Sequence, residues 1–121
     1  MPILEEECKI EKIEKSLLPY IYILHATCKK CDFVMDVHED ILIFKDKDIV
    51  EFYIDSNKPT CNTKTDLCGT GYVVTIKKDG VVSKLIISIG GFMLIVSSKE
   101  IDFIQKFKPL MKTYIKLSKR G

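Results

Sequence analysis

The residues of this chain able to do chemistry are few, and the densest group is Thr27-Cys28-Lys29-Lys30-Cys31-Asp32. Two thiolates three positions apart can reach one tetrahedral ion from a tight turn, and zinc favours such sulfur ligands. Cys61 and Cys68 supply a second pair from a stretch with almost no apolar side chains, where a metal would organise the loop. The expected metal set is therefore Cys28, Cys31, Cys61 and Cys68, holding a structural zinc. Six residues separate the second pair, more than a knuckle usually has, and His25 or His38 could replace one sulfur. Thiol redox chemistry is the second reading. It needs C-x-x-C at a helix start, where the macrodipole lowers the thiol pKa. Asp32-Phe33-Val34-Met35 alternates like a strand instead, so a thiol enzyme is the least favoured function. The plain alternative is free thiols, with Lys29-Lys30 exposed at a turn and Cys8 serving as a packing residue.

No other group of side chains suggests catalysis. Gly69-Thr70-Gly71 lacks the third glycine and the strand-to-helix setting of a phosphate loop and reads as a turn, while Asp36, Glu39 and Asp40 read as solvated acids between strands. The expectation is a protein that is not an enzyme.

The elements that must position these residues come next. In residues 4–18, Ile10, Ile13 and Leu17 share a helical face, and Glu5 with Lys9 and Glu11 with Lys15 stand at the four-residue spacing that supports a helix; Pro19 stops it. Tyr20–Leu24 is β-branched and aromatic and reads as a strand leading to Cys28, and further short strands follow in 33–37, 41–44 and 49–54. Residues 55–71, with Pro59, two asparagines and two glycines, read as a long loop. Asp79-Gly80 between two apolar runs is a hairpin signal, and Gly90-Gly91 returns the chain into Phe92–Val96, which predicts a three-stranded meander. Leu85–Ile89 is apolar at consecutive positions, so both faces of that strand require cover, from this chain or from a partner. Finally Ile104, Phe107, Met111 and Ile115 predict a C-terminal helix capped by Ser97-Ser98, with Pro109 as a kink or a new start.

The chain has 121 residues, 46% hydrophobic and 30% charged, enough for one ordinary core. Its net charge of +2 marks neither nucleic acid nor anionic membrane as an obvious partner. Charge is uneven, however. From Gln105 onward there are lysines and an arginine but no acid, so Lys112, Lys116, Lys119 and Arg120 are candidate phosphate contacts, with Lys77, Lys78 and Lys84 extending the patch. The ordinary alternative is that these lysines form the wet face of a surface helix. The acidic start is unlike a secretory signal, and no apolar run nears the roughly 20 residues that span a bilayer. An intracellular protein, cytoplasmic or nuclear and without membrane contact, is expected, and five cysteines there favour thiols or metal over disulfides.

Three stretches of residues carry resemblances. Val73-Val74-Thr75-Ile76-Lys77-Lys78-Asp79-Gly80, Val96-Ser97-Ser98-Lys99-Glu100 and Gln105-Lys106-Phe107 with Leu110-Met111 resemble the small Alu-domain subunits of the signal recognition particle. That resemblance covers less than half the chain and implies RNA contact by Lys77, Lys78, Lys84 and Lys99. A sheet closed by a C-terminal helix is also similar to the ending of pleckstrin-homology-like domains. Leu24–Phe44 around Cys28 and Cys31 is similar to half of a zinc ribbon of transcription-machinery subunits.

Together these readings give an α+β protein, a mainly antiparallel sheet with an amphipathic helix at each end. It is expected to form a single domain over residues 1–121, with a sub-division into 1–57 and 72–121. Its expected function is a non-enzymatic binding or assembly module in an RNA- or transcription-associated complex, with a protein partner and RNA as a further one. A pleckstrin-homology-like protein-interaction domain with no nucleic-acid role is the alternative.

Overall fold

Apolar side chains recur at every second position through most of this chain, and the computed structural model, which describes residues 2–120, realises that alternation as strands. They are β1 (Leu4–Lys15), β2 (Ile21–Cys28), β3 (Asp32–His38), β4 (Ile49–Asp55), β5 (Asp66–Asp79), β6 (Val82–Ile89), β7 (Phe92–Ser98) and β8 (Lys112–Lys119). All neighbours are antiparallel, and the sheet closes into a barrel in the order β1-β2-β3-β7-β6-β5-β8-β4. The fold is therefore all-β, which corrects the α+β expectation and both of its helices.

The N-terminal segment is a strand because period two serves it better than period 3.6. As β1 it buries Leu4, Cys8 and Ile10, and it finds backbone partners on both sides, in β4 and β2. The helical face would have needed Leu17, which is instead fully exposed. At the other end only Ile101–Ile104 is helical (α1). Ile104 and Phe107 enter the core, and the chain then passes Pro109 and Leu110, the latter at φ 71°, before extending as β8. There Thr113, Ile115 and Leu117 point inward at alternate positions. Completing the ladder between β5 and β4 satisfies the backbone groups of three strands at once, a gain a lone surface helix lacks.

The meander β5–β6–β7 forms as its turns predict, with the first shifted by one residue. Asp79 pairs with Val82, so Gly80-Val81 is the loop, and only its first residue takes a positive φ (65°), the pattern of a II′ turn. Gly90 and Gly91 both take positive φ, 57° and 93°, as a I′ turn requires. The predicted loop over 55–71 is shorter than expected, because Asp66–Gly71 already belong to β5.

Two long strands make the corners. β1 pairs with β4 through Lys9 and with β2 from Cys8 onward, with a bulge between Ile10 and Lys12. β5 pairs with β8 up to Tyr72 and with β6 from there on, with a bulge between Val73 and Thr75. Bulges bend and twist a strand, so the barrel acquires a broad side (β1-β2-β3-β7-β6-β5) and a narrow side (β5-β8-β4-β1). Between them lies one core centred on Phe33 and Phe52, whose rings stand 4.2 Å apart. Each fully buried side chain of this size contributes about 1.5–3 kcal/mol relative to exposure.

Candidate functional site

The Cys28–Cys31 turn is built almost wholly from the protein's own hydrogen bonds. Cys28 N–H donates to the Cys31 carbonyl at 2.8 Å, Lys30 N–H donates to Glu6 Oε1 at 2.8 Å, and Ser98 Oγ donates to the Lys30 carbonyl at 2.7 Å. The sulfurs are divided. Cys28 is disulfide-bonded to Cys8, its direct neighbour across β1 and β2, and Cys61 to Cys68, while Cys31 is a buried free thiol. The four proposed zinc ligands are thus not brought together as a set, and Cys8, read as packing, is a cross-strand staple. Burial, with the charges of Glu6 and Asp32 beside it, pushes the Cys31 thiol up to about 12, opposite to what a reactive thiol needs. The histidines are occupied elsewhere. His25 Nε2 lies 2.9 Å from Glu14 Oε2, and His38 Nδ1 accepts from Asp40 N–H at 3.1 Å. Among the described residues no group of three or more His, Cys, Asp or Glu is arranged to hold a metal.

The candidate basic residues fall into two places. Lys77 and Lys84 are directly opposite each other on β5 and β6, Lys78 is beside them, and Lys84 pairs with Ser97, two residues before Lys99. Lys112 and Lys116 lie on β8, on the narrow side and not on a helix. Lys116 Nζ is 3.7 Å from Asp66 and 5.4 Å from the centre of the Tyr53 ring, and Lys112 Nζ is 5.5 Å from that of Tyr114.

The two sides of the barrel differ in what they offer solvent. On the narrow side the outward residues answer one another: Arg120 bridges Glu7 and Glu51, Lys119 faces Asp48, and Asp66 accepts from Ser118 Oγ at 2.6 Å. Burial opposes ionisation of Asp66. Hydrogen bonds from Ser118, Asn62 N–H and Thr65, with the charge of Lys116, outweigh it and hold the carboxyl below its ordinary range. The broad side has an apolar row instead. Register places Val34 beside Ile95, Ile95 beside Ile86 and Ile86 beside Thr75, all pointing outward and half-buried, with exposed Val74 at the bulge. Met93 and exposed Tyr72 flank this row across Ser88. Ile86 is thus not covered by a terminal helix, as the sequence allowed, and the apolar run in β6 divides into inward Leu85 and Ile87 and outward Ile86.

Sequence reasoning missed this row because its members lie on four different strands and become neighbours only through register. The one local signal was the unbroken apolar run in β6. Asp36, read as a solvated acid between strands, lies within β3, where its Oδ2 accepts from Met93 N–H at 3.1 Å and completes the β3–β7 seam beyond the last backbone pair.

The family model for the RpbG subunits of DNA-directed RNA polymerase matches residues 3–120. The DNA-directed RNA polymerase subunit Rpo8 of Saccharolobus shibatae is 34% identical over 99 residues, covering 77% of this chain and 75% of its own length. That of Saccharolobus solfataricus is 32% identical over 99 residues, with 77% and 74% covered. Among solved structures, the cytoplasmic molybdate-binding protein ModG aligns over 96% of this chain and 89% of its own at 12% identity, with a TM-score of 0.37, too loose a likeness to carry any argument. A match over nearly the whole chain overturns the resemblances to Alu-domain subunits, pleckstrin-homology-like domains and zinc ribbons, which rested on short segments and on a C-terminal helix that is a strand.

Proposed function

The chain belongs to the RpbG family of DNA-directed RNA polymerase subunits, and from that premise we propose that it serves the polymerase as a non-catalytic assembly subunit whose broad side seats against a neighbouring subunit. The apolar row Val34–Ile95–Ile86–Val74 carries this reading. A closed barrel has no free strand edge, so a partner cannot bind by adding a strand and must meet side chains. Several charged residues of the narrow side are paired among themselves, whereas the broad side turns apolar side chains outward that gain only by covering. The free thiol of Cys31 is buried and its pKa is raised, which disfavours it as a nucleophile.

Assembly tests the reading directly. Ile86→Lys places a charge in the middle of the row without touching the core, so the isolated variant should keep its thermal midpoint within a few degrees. Its retention by polymerase lacking this subunit should fall at least about tenfold, as for a central interface residue. Glu5→Lys, exposed on the narrow side beside Tyr53, should be retained normally. Equal retention of Ile86→Lys and the unaltered chain would remove the broad side as the seat.

A further inference from the structure

The β1–β2 hairpin presents a second apolar surface, separate from the row. Pairing of β1 with β4 ends at Lys9, whereas its pairing with β2 continues to Lys15 and Tyr22, so the hairpin runs on beyond its contact with β4. Its tip is Ser16-Leu17-Leu18-Pro19-Tyr20. Leu17 is 105% exposed, Leu18 64% and Tyr20 66%, and none of the three belongs to the core. We propose that this tip is an anchor that inserts into an apolar cleft, basic at its rim, on a neighbouring polymerase subunit.

The tip is held in one shape, as an inserting element must be if binding is not to cost its ordering. Ser16 N–H donates to the Ile21 carbonyl at 2.9 Å, and Leu18 N–H donates to Ser16 Oγ at 3.2 Å. Tyr20 takes a left-handed φ of 64°, which a residue with a Cβ adopts at a cost. Its carbonyl accepts from Glu39 N–H at 2.8 Å, and its ring stacks with that of His38, centroids 6.3 Å apart at 25°. This shape leaves Leu17 with nothing to pack on inside the molecule. Exposed Ile41 follows the Glu39 contact and enlarges the apolar surface.

Charge and continuity indicate the occupant. Glu39 borders the tip through Tyr20, with Asp40 next to it 3.7 Å from His38 Nδ1, while Lys15 is the near cation and Lys12 is tied to Glu14 at 3.0 Å, so an acceptor with a basic rim is the complementary one. The hairpin belongs to the broad side: Ile23 of β2 pairs with Asp36, which reaches Met93 beside the apolar row. One body of protein can therefore cover both. The inference rests on the reading of the broad side as the seat, and it adds where the neighbouring subunit must be concave.

The test titrates fluorescently labelled chain into polymerase lacking this subunit, comparing the unaltered chain, Leu17→Ser/Leu18→Ser and Ile86→Lys. The leucine double variant should melt with the unaltered chain, because both side chains are exposed, yet require at least about tenfold more protein for half-maximal uptake. Uptake equal to that of the unaltered chain, with Ile86→Lys impaired, would overturn the anchor and leave the seat standing. Failure of the unaltered chain to be taken up would end both. Leu17-dependent co-sedimentation with phosphatidylcholine–phosphatidylglycerol vesicles, without any effect on polymerase uptake, would equally overturn the anchor in favour of a lipid surface.

Discussion

Cys28 and Cys31 stand three positions apart, and their fates differ because of what lies across the sheet from each. Cys28 faces Cys8 in register and is bonded to it; Cys31 ends the turn as a buried free thiol packed in the core. Burial and two nearby carboxylates stabilise the protonated form, so little thiolate exists near neutrality. The expected outcome is that iodoacetamide at pH 8 leaves Cys31 unmodified in the native protein and labels it within minutes in denaturant, as followed by intact mass. Rapid native labelling would mean that the thiol is neither buried nor protonated as described.

Among the elements, β5 depends most on small residues. Gly69 and Gly71 fall on its inward face before the bulge, where β6 crosses close by. A Cβ on Gly71 would stand 2.6 Å from Ile87 Cγ2 and 3.1 Å from the Ser88 carbonyl oxygen, and backbone has little room to yield. Gly69-Thr70-Gly71, read from the sequence as a turn, lies instead within β5, where its glycines allow close approach of two strands. Gly71→Ala should therefore destabilise the barrel by about 1–3 kcal/mol, the usual cost of overpacking, measured by urea denaturation. Gly80→Ala at the exposed hairpin meets no atom within 4 Å, so its cost should be that of the positive φ alone.

At the scale of the whole molecule, the two sides of the barrel differ: the narrow side carries a set of ion pairs and the broad side an outward apolar row. Asp66 ties the narrow side together, linking β5 to β8 through Ser118 and Lys116 and to the preceding loop through Asn62. Its folded-state pKa lies below that of the unfolded chain, so the unfolded state takes up the proton first. The resulting stability is present above the ordinary carboxylate range and is lost as pH falls through the depressed value. Asp66→Asn should consequently be less stable than the unaltered protein at pH 7, with the gap closing towards acid, as followed by denaturation midpoints across pH. A gap independent of pH would mean that the carboxylate contributes no net charge stabilisation.

Residue types and local patterning alone determined the meander β5–β6–β7, because glycine positions and alternation are set by neighbours in sequence. Membership of a transcription complex was expected only through a resemblance to zinc ribbons, which the match over nearly the whole chain replaces. Tertiary structure decided the rest. Ile10 and Ile13, or Ile104, Phe107, Met111 and Ile115, satisfy a helical period as written, and Leu4, Cys8 and Ile10, or Thr113, Ile115 and Leu117, satisfy a strand period equally well. Only closure of the sheet, which gives β1 and β8 a partner on each side, selects the strand. The Cys8–Cys28 pairing and the outward apolar row were illegible for the same reason. Both depend on register between strands, and a shift of one residue would turn every side chain concerned to the opposite face.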